Sequence, residues 1–172
     1  MERLWSPWRL AYVTGASGGD AAGCIFCNAS AGSGPDRGSA DDLVIIRGRS
    51  AFVILNLFPY NNGHLMVVPY RHVATLASMT SEEQAEVMRL ARHAEIALTE
   101  AYQPQGLNVG INLGQPAGAG IVDHLHVHMV PRWNGDTNFM TAIANTRVLP
   151  EDLAATRQRL MPIFERLAQS DR

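Results

Sequence analysis

Three histidines, His124, His126 and His128, alternate with Leu125, Val127 and Met129. Side chains of an extended strand change face at every residue, so the imidazoles share one face and the apolar residues share the other, core-directed one. Adjacent members of such a row lie about 7 Å apart, twice the strand rise. A helix would scatter them around its circumference. Half of the six histidines of the chain stand in this line. Packing alone is a poor reason for it, because every ring nitrogen taken into a dry core needs a partner. The row reads as a wall for chemistry: a nucleophile with its proton-transfer partners, or three imidazoles on one catalytic metal. A neutral imidazole nitrogen can attack phosphorus and leave again, splitting one hard displacement into two easier ones. Its other nitrogen must then carry the proton, held by a backbone carbonyl or a carboxylate. Residue types alone do not choose among the three.

Two neighbouring features fit phosphate chemistry. Asn112 carries an amide able to donate to a phosphate oxygen, or to anchor a loop. The loop from Gly114 to Gly120 is small and glycine-rich, so the backbone amides of Gly118, Ala119 and Gly120 can approach an anion closely. Farther off, Cys24 and Cys27 form the only cysteine pair, as Cys-Ile-Phe-Cys. A Cys-x-x-Cys is redox-active, metal-binding or accidental. Redox activity favours a strand-to-helix setting, whereas residues 14–41 are rich in Gly, Ala, Ser and Asp and read as a loop. Two cysteines also fall short of the four ligands of a structural zinc.

The elements that must position these groups begin after Asp42. Leu43 to Arg47 and Phe52 to Leu57 read as strands, and His64 to Pro69 as a third after the Tyr60-Asn61-Asn62-Gly63 turn. Thr80 with Glu83 is a capping-box signature. It opens a helix on which Val87, Ala91, Ala94, Leu98 and Ala101 recur at helical spacing, with His93 on the polar, solvated side. Leu107 to Leu113 and the histidine strand follow. Pro150 begins a second helix with Leu153, Leu160, Phe164 and Leu167 on one face. Short turns between strands, with one long helix inserted, predict an antiparallel α+β domain.

The whole chain bounds the answer further. Its 172 residues are the size of one domain with a self-sufficient core. No apolar run is long enough to span a bilayer. The opening MERLWSPWRLAYV lacks a signal-peptide core, which makes the cytoplasm the expected compartment. A net charge of -2 gives no broad basic footprint, so no nucleic-acid partner is expected.

The run His-apolar-His-apolar-His-apolar-apolar, followed by Pro-Arg, resembles the signature of the histidine triad (HIT) nucleotide hydrolases and transferases. Asn56 to Pro69, Gly110 to Gly118 and Pro131 to Phe139 resemble that family too, in particular its bacterial diadenosine tetraphosphate phosphorylases and hydrolases. The likeness runs from about residue 5 to residue 165. It implies a single HIT domain over residues 1–172: a loop-rich amino-terminal segment, 1–42, and a catalytic core, 43–172. It implies a sheet of about five antiparallel strands with two main helices, and a homodimer joining two sheets, with the first helix at the interface. Val87, Leu90 and Leu98 then compete between the core and that interface.

Carried over residue by residue, the resemblance makes His126 the nucleophile, forming a nucleotidyl-histidine, and His128 the donor to the phosphate and leaving group. It makes Asn112 a phosphate contact and Asn56 a ribose contact, against the alternative of a turn former. Phe52, Ile54 and Leu57 become candidates for the base pocket, with core packing competing, and His64 a supporting residue. It completes a structural zinc site from Cys24, Cys27, His72 and His124. No organic cofactor is implied. Gly120 departs from the pattern, because many relatives carry Gln or Ser near that position. The acceptor, water or inorganic phosphate, therefore stays open. The implied substrate is a dinucleoside polyphosphate. Adenosine phosphoramidates or aminoacyl adenylates are a second option, and a slow-turnover nucleotide-binding adaptor a third.

Overall fold

A computed structural model describes residues 23–31, 43–136 and 151–171 of the protein. Strands β1 (Val44–Arg47), β2 (Ala51–Leu55), β3 (Leu65–Pro69), β4 (Gly106–Ile111) and β5 (Val127–Arg132) form one sheet in the order β1-β2-β3-β5-β4. Every neighbouring pair is antiparallel. Helix α1 covers Ile25–Ala31, the long α2 covers Ser81–Tyr102 and α3 covers Leu153–Ser170. This is the expected five-stranded α+β arrangement with two main helices. Most ends of elements differ by one or two residues from the sequence reading, the usual fraying of such boundaries, but the histidine strand and α3 each start three residues later than expected, at Val127 and at Leu153, which Asp152 caps. Pro150, the opening MERLWSPWRLAYV and Thr137 to Phe139 lie outside the described residues.

The period of two sorts side chains between two unlike faces. Val53, Leu55, Leu65, Val67, Leu125, Val127 and Met129 pack with α2 and α3 in the main core. Phe52, Ile54, Met66 and Val68 point the other way, toward Cys24 and Phe26 of the α1 segment. The alternation of Leu125, Val127 and Met129 with the histidines is therefore real. The regular ladder nevertheless starts only at Val127, so His124 and His126 precede it, held by Leu125 N–H on the Val73 carbonyl at 2.7 Å.

Two local readings are corrected. The cysteine segment is a helix rather than a loop: Cys24 precedes α1 and Cys27 lies within it. His93 is fully buried rather than solvated. The stripe 87-91-94-98 faces the sheet, but a second stripe, Glu86, Leu90, His93 and Ala97, is also covered. Its His93 Nε2 lies 2.8 Å from the Asp171 carboxylate just beyond α3. Val87, Leu90 and Leu98 all belong to the core of the single chain, and exposed Met88 is the large apolar residue α2 presents outward.

Helix α2 starts where its capping box stops the chain from continuing extended. The Thr80 side chain accepts from Glu83 N–H at 3.2 Å, and Glu83 Oε2 accepts from Thr80 N–H at 2.8 Å. Arg71 also grips this carboxylate, Nε to Oε1 at 2.8 Å. The Arg71 hydrogen bonds, then the Thr80 amide, hold the Glu83 carboxyl down to about 2 from 4.5. A carboxyl depressed on folding adds stability above its unfolded value and loses it as pH falls through the folded one. Stability should thus drop between pH 4.5 and pH 2, and Glu83→Gln should flatten that slope in denaturant titrations at each pH. An unchanged slope would remove Glu83 from the acid response.

The β2–β3 connection delivers His64. His64 N–H donates to the Asn61 carbonyl at 3.2 Å, closing the turn. Gly63 adopts a φ of +74°, and a Cβ there would lie 2.9 Å from atoms of Leu98 and Tyr102. Both the handedness and the close approach to α2 require glycine.

Candidate active site and metal centre

The histidine face converges on Phe26. Its ring centroid lies 5.4 Å from that of His124 and 5.0 Å from that of His126, and the His126 and His128 rings meet edge to face at 4.8 Å. The β5 register sets His128 opposite Met66 on one side and Gly110 on the other. Gly110 carries no side chain to cover the ring. His124 and His126 are buried, while His128 is part-exposed at the rim.

Proton positions follow from the partners. The His126 Nδ1 lies 2.8 Å from the His124 carbonyl. A carbonyl only accepts, so Nδ1 carries the proton and the Nε2 of neutral His126 presents a lone pair. Burial pushes the His126 pKa below the usual imidazole range, opposed by that backbone bond, so the ring is neutral at pH 7. This is the tautomer a nucleophile requires. His124 is set the opposite way. Its Nε2 donates to the Pro69 carbonyl at 2.9 Å, which leaves Nδ1 as the lone-pair nitrogen. Burial also lowers its pKa, ahead of the Pro69 bond that raises it.

That lone pair faces the cysteines. His124 Nδ1 lies 3.3 Å from Cys24 Sγ and 3.6 Å from Cys27 Sγ, and His72 Nδ1 lies 3.3 Å from Cys27 Sγ. All four ligand atoms fall within 4.8 Å of one another. Tetrahedral zinc, with bonds near 2.3 Å to sulfur and 2.05 Å to nitrogen, separates an S and an N ligand by about 3.6 Å. The donor set and its spacing therefore fit zinc. Burial pushes the Cys27 thiol up, with Cys24 adding to the rise. That is the reverse of an activated redox thiol.

The remaining site candidates fall into place unevenly. His64 is buried against His128, Nε2 to Nδ1 at 3.0 Å. Asn56 accepts from Phe58 N–H at 3.0 Å, the turn-forming role, and its Nδ2 lies 3.3 Å from His64 Nδ1. Asn112 lies just past β4, its Nδ2 3.4 Å from the Gly118 carbonyl, so it braces the loop. The amides of Gly118 and Ala119 donate to the carbonyls of Gln115 and Gly114, and Ala119 and Gly120 are buried. Phe52 is buried and stacked on Tyr70 at 5.4 Å, Ile54 belongs to the same apolar cluster, and Leu57 is 56 % exposed. Phe26 escaped the sequence reading, although an aromatic between two paired ligands was its visible signal. Tyr60, whose ring lies 4.8 Å from His64, had none.

The match to known proteins agrees with this geometry. The HIT domain family model covers residues 37–135. The AP-4-A phosphorylase of Mycobacterium tuberculosis is 42 % identical over 166 residues, 93 % of this chain and 83 % of that protein. The adenosine 5'-monophosphoramidase of Schizosaccharomyces pombe is 26 % identical over 137 residues, 80 % of this chain and 95 % of that one. Among solved structures, a Zn-bound histidine triad family protein from Mycobacterium smegmatis superposes with a TM-score of 0.68 at 26 % identity, covering 88 % of this chain and 99 % of that one. The chain belongs to the HIT domain family.

Proposed function

We propose that the protein is a nucleotidyl-transfer enzyme that cleaves dinucleoside polyphosphates of the diadenosine tetraphosphate type. The observation that carries this is the His126 tautomer: the His124 carbonyl accepts from Nδ1–H at 2.8 Å and so leaves the Nε2 lone pair free for attack. Nε2 attacks the α-phosphorus, and the bond from phosphorus to the bridging oxygen breaks. His128 gives its Nε2 proton to the departing polyphosphate. An acceptor then displaces His126 and passes a proton to His128. Asn112 and the Gly120 amide stabilise charge on the phosphate oxygens as it develops, joined by the Gly118 and Ala119 amides when the loop releases them from the Gln115 and Gly114 carbonyls. Asn56 meets the ribose, Ile54 and Leu57 line the base pocket with buried Phe52 packed beneath them, and His64 lies behind His128. The likeness to a phosphorylase over nearly the full chain supports this substrate class. The phosphoramidase relative supports the runner-up, an adenosine phosphoramidate hydrolase using the same histidine.

The same reading places zinc on Cys24, Cys27, His72 and His124, where it ties α1 to the segment that orients His126. It assigns residues 1–172 to one HIT domain acting in the cytoplasm. Among the described residues no helix is long and apolar enough to cross a membrane. It also pairs two copies through the β4 edge and the outward side of α2. Exposed Val109 on that edge strand and Met88 on α2 support such a homodimer.

Incubation with diadenosine tetraphosphate, with and without inorganic phosphate, tests the function. ATP plus ADP marks phosphorolysis, and ATP plus AMP marks hydrolysis. Turnover of adenosine phosphoramidate alone, with the dinucleotide untouched, would replace the leading reading by the runner-up.

A further inference from the structure

A hydrogen-bonded hub that the catalytic reading does not use lies where the β2–β3 connection meets the end of β5. Asp136 accepts from Arg132 Nε at 2.5 Å and Nη2 at 2.8 Å, and from Trp133 N–H at 3.2 Å. Its Oδ2 also accepts from Asn61 Nδ2 at 2.8 Å, and the same amide reaches the Pro131 carbonyl at 2.9 Å. Asn61 thereby fastens a surface turn to β5 across 70 residues of sequence. Such turns are otherwise among the most mobile parts of a fold.

What the fastened turn holds is the residue before Asn61. Tyr60 N–H donates to His64 Nδ1 at 3.1 Å. A backbone N–H can only donate, so Nδ1 of neutral His64 is the acceptor and its proton sits on Nε2. That proton points at His128 Nδ1, 3.0 Å away. His128 Nδ1 is then the acceptor, and its own proton sits on Nε2. The Tyr60 ring backs the pair, 4.8 Å from His64 and nearly parallel to His128 at 6.2 Å.

We propose that Asn61 and Asp136 are positioning residues: by holding the Tyr60 amide against His64 they fix His128 as the tautomer with its proton on Nε2. Without the clamp the Tyr60 amide is free to leave His64, whose Nδ1 then keeps only the longer contact from Asn56 Nδ2 at 3.3 Å. The His64–His128 hydrogen bond can then reverse, with Nδ1 of His128 donating. Reversal strips the proton from the nitrogen that must donate it to the leaving group. The kinetic consequence rests on the reading of His128 as that donor. The tautomer relay is a property of the fold and does not.

Long-range nitrogen–proton NMR on 15N-labelled protein without substrate reads the protonated nitrogen of each ring directly. His64→Asn and His128→Asn assign the signals. At a pH where both rings are neutral, the native protein should show both protons on Nε2. In Asn61→Ala and Asp136→Ala, Nδ1-protonated His64 and His128 should appear. kcat should fall about ten- to a hundredfold, the scale of losing outer-shell partners of functional histidines, with KM nearly unchanged. Asn61→Ala removes only the amide and leaves the Arg132–Asp136 pair, so it carries the test if Asp136→Ala does not fold. Thr80→Ala, destabilised at the distant helix cap, should leave tautomers and kcat alone. Nδ1 protons in the native protein, or native tautomers in the folded clamp variants, would overturn the proposal. Shifted tautomers with native kcat would uphold the clamp and refute His128 as the proton donor instead.

Discussion

His126→Gln is expected to lower turnover of diadenosine tetraphosphate by about a thousandfold or more, because a nucleophile and its electrostatic partners act as a unit. Glutamine fills much of the same space against Phe26 but has no basic nitrogen with which to attack. The proposed zinc ligands and the proposed nucleoside contacts are untouched. Calorimetric titration with a non-cleavable analogue should therefore give a Kd close to that of the native protein. Stereochemistry supplies an independent check. Two successive displacements at the α-phosphorus retain configuration, whereas a single attack by water inverts it. A chiral thiophosphate substrate whose product is inverted, or native turnover in His126→Gln, would rule out the covalent histidine and leave direct attack by water.

Zinc removal is expected to produce the second large effect, on stability. Native protein purified without chelator should hold about one zinc per chain, the stoichiometry of one four-ligand site. Cys24→Ala or Cys27→Ala should abolish it and cost several kcal/mol. At about 2–4 °C in Tm per kcal/mol for a chain of this size, melting should fall by about 10 °C or more. A chelator should shift the native protein equally and the cysteine variants hardly at all, since they have no metal to lose. The short segment that carries the cysteines also carries Phe26, which lies 5.0 Å from the His126 ring. The folded variants should accordingly lose some kcat, though far less than His126→Gln. Elemental analysis finding no metal in the unchelated protein would dismiss the site.

Much of this organisation is written locally. The facing of Leu125, Val127 and Met129 into the core, with the histidines opposite, follows from a period of two that needs no partner to be read. The start of α2 follows from Thr80 and Glu83, because a capping box is complete within four residues. A cysteine pair two ligands short of a zinc site asks for two histidines, and the family resemblance selected His72 and His124. The His126 tautomer is local too, since its acceptor is the carbonyl only two residues back.

Tertiary structure decided everything that depends on what lies across a face. His93 stands on a helix stripe that reads as polar, and only the packing of α3 and Asp171 against it makes it a core residue. Leu57 ends a strand-like run, yet the chain turns there and leaves it exposed. Phe26 meets His126, Cys27 meets His72 and Asn61 meets Asp136 over separations that periodicity does not register. Proton positions on His64 and His128 belong to the same class. An imidazole's tautomer is set by whichever donor or acceptor the fold brings to each nitrogen, so it is a property of contacts and not of residue type.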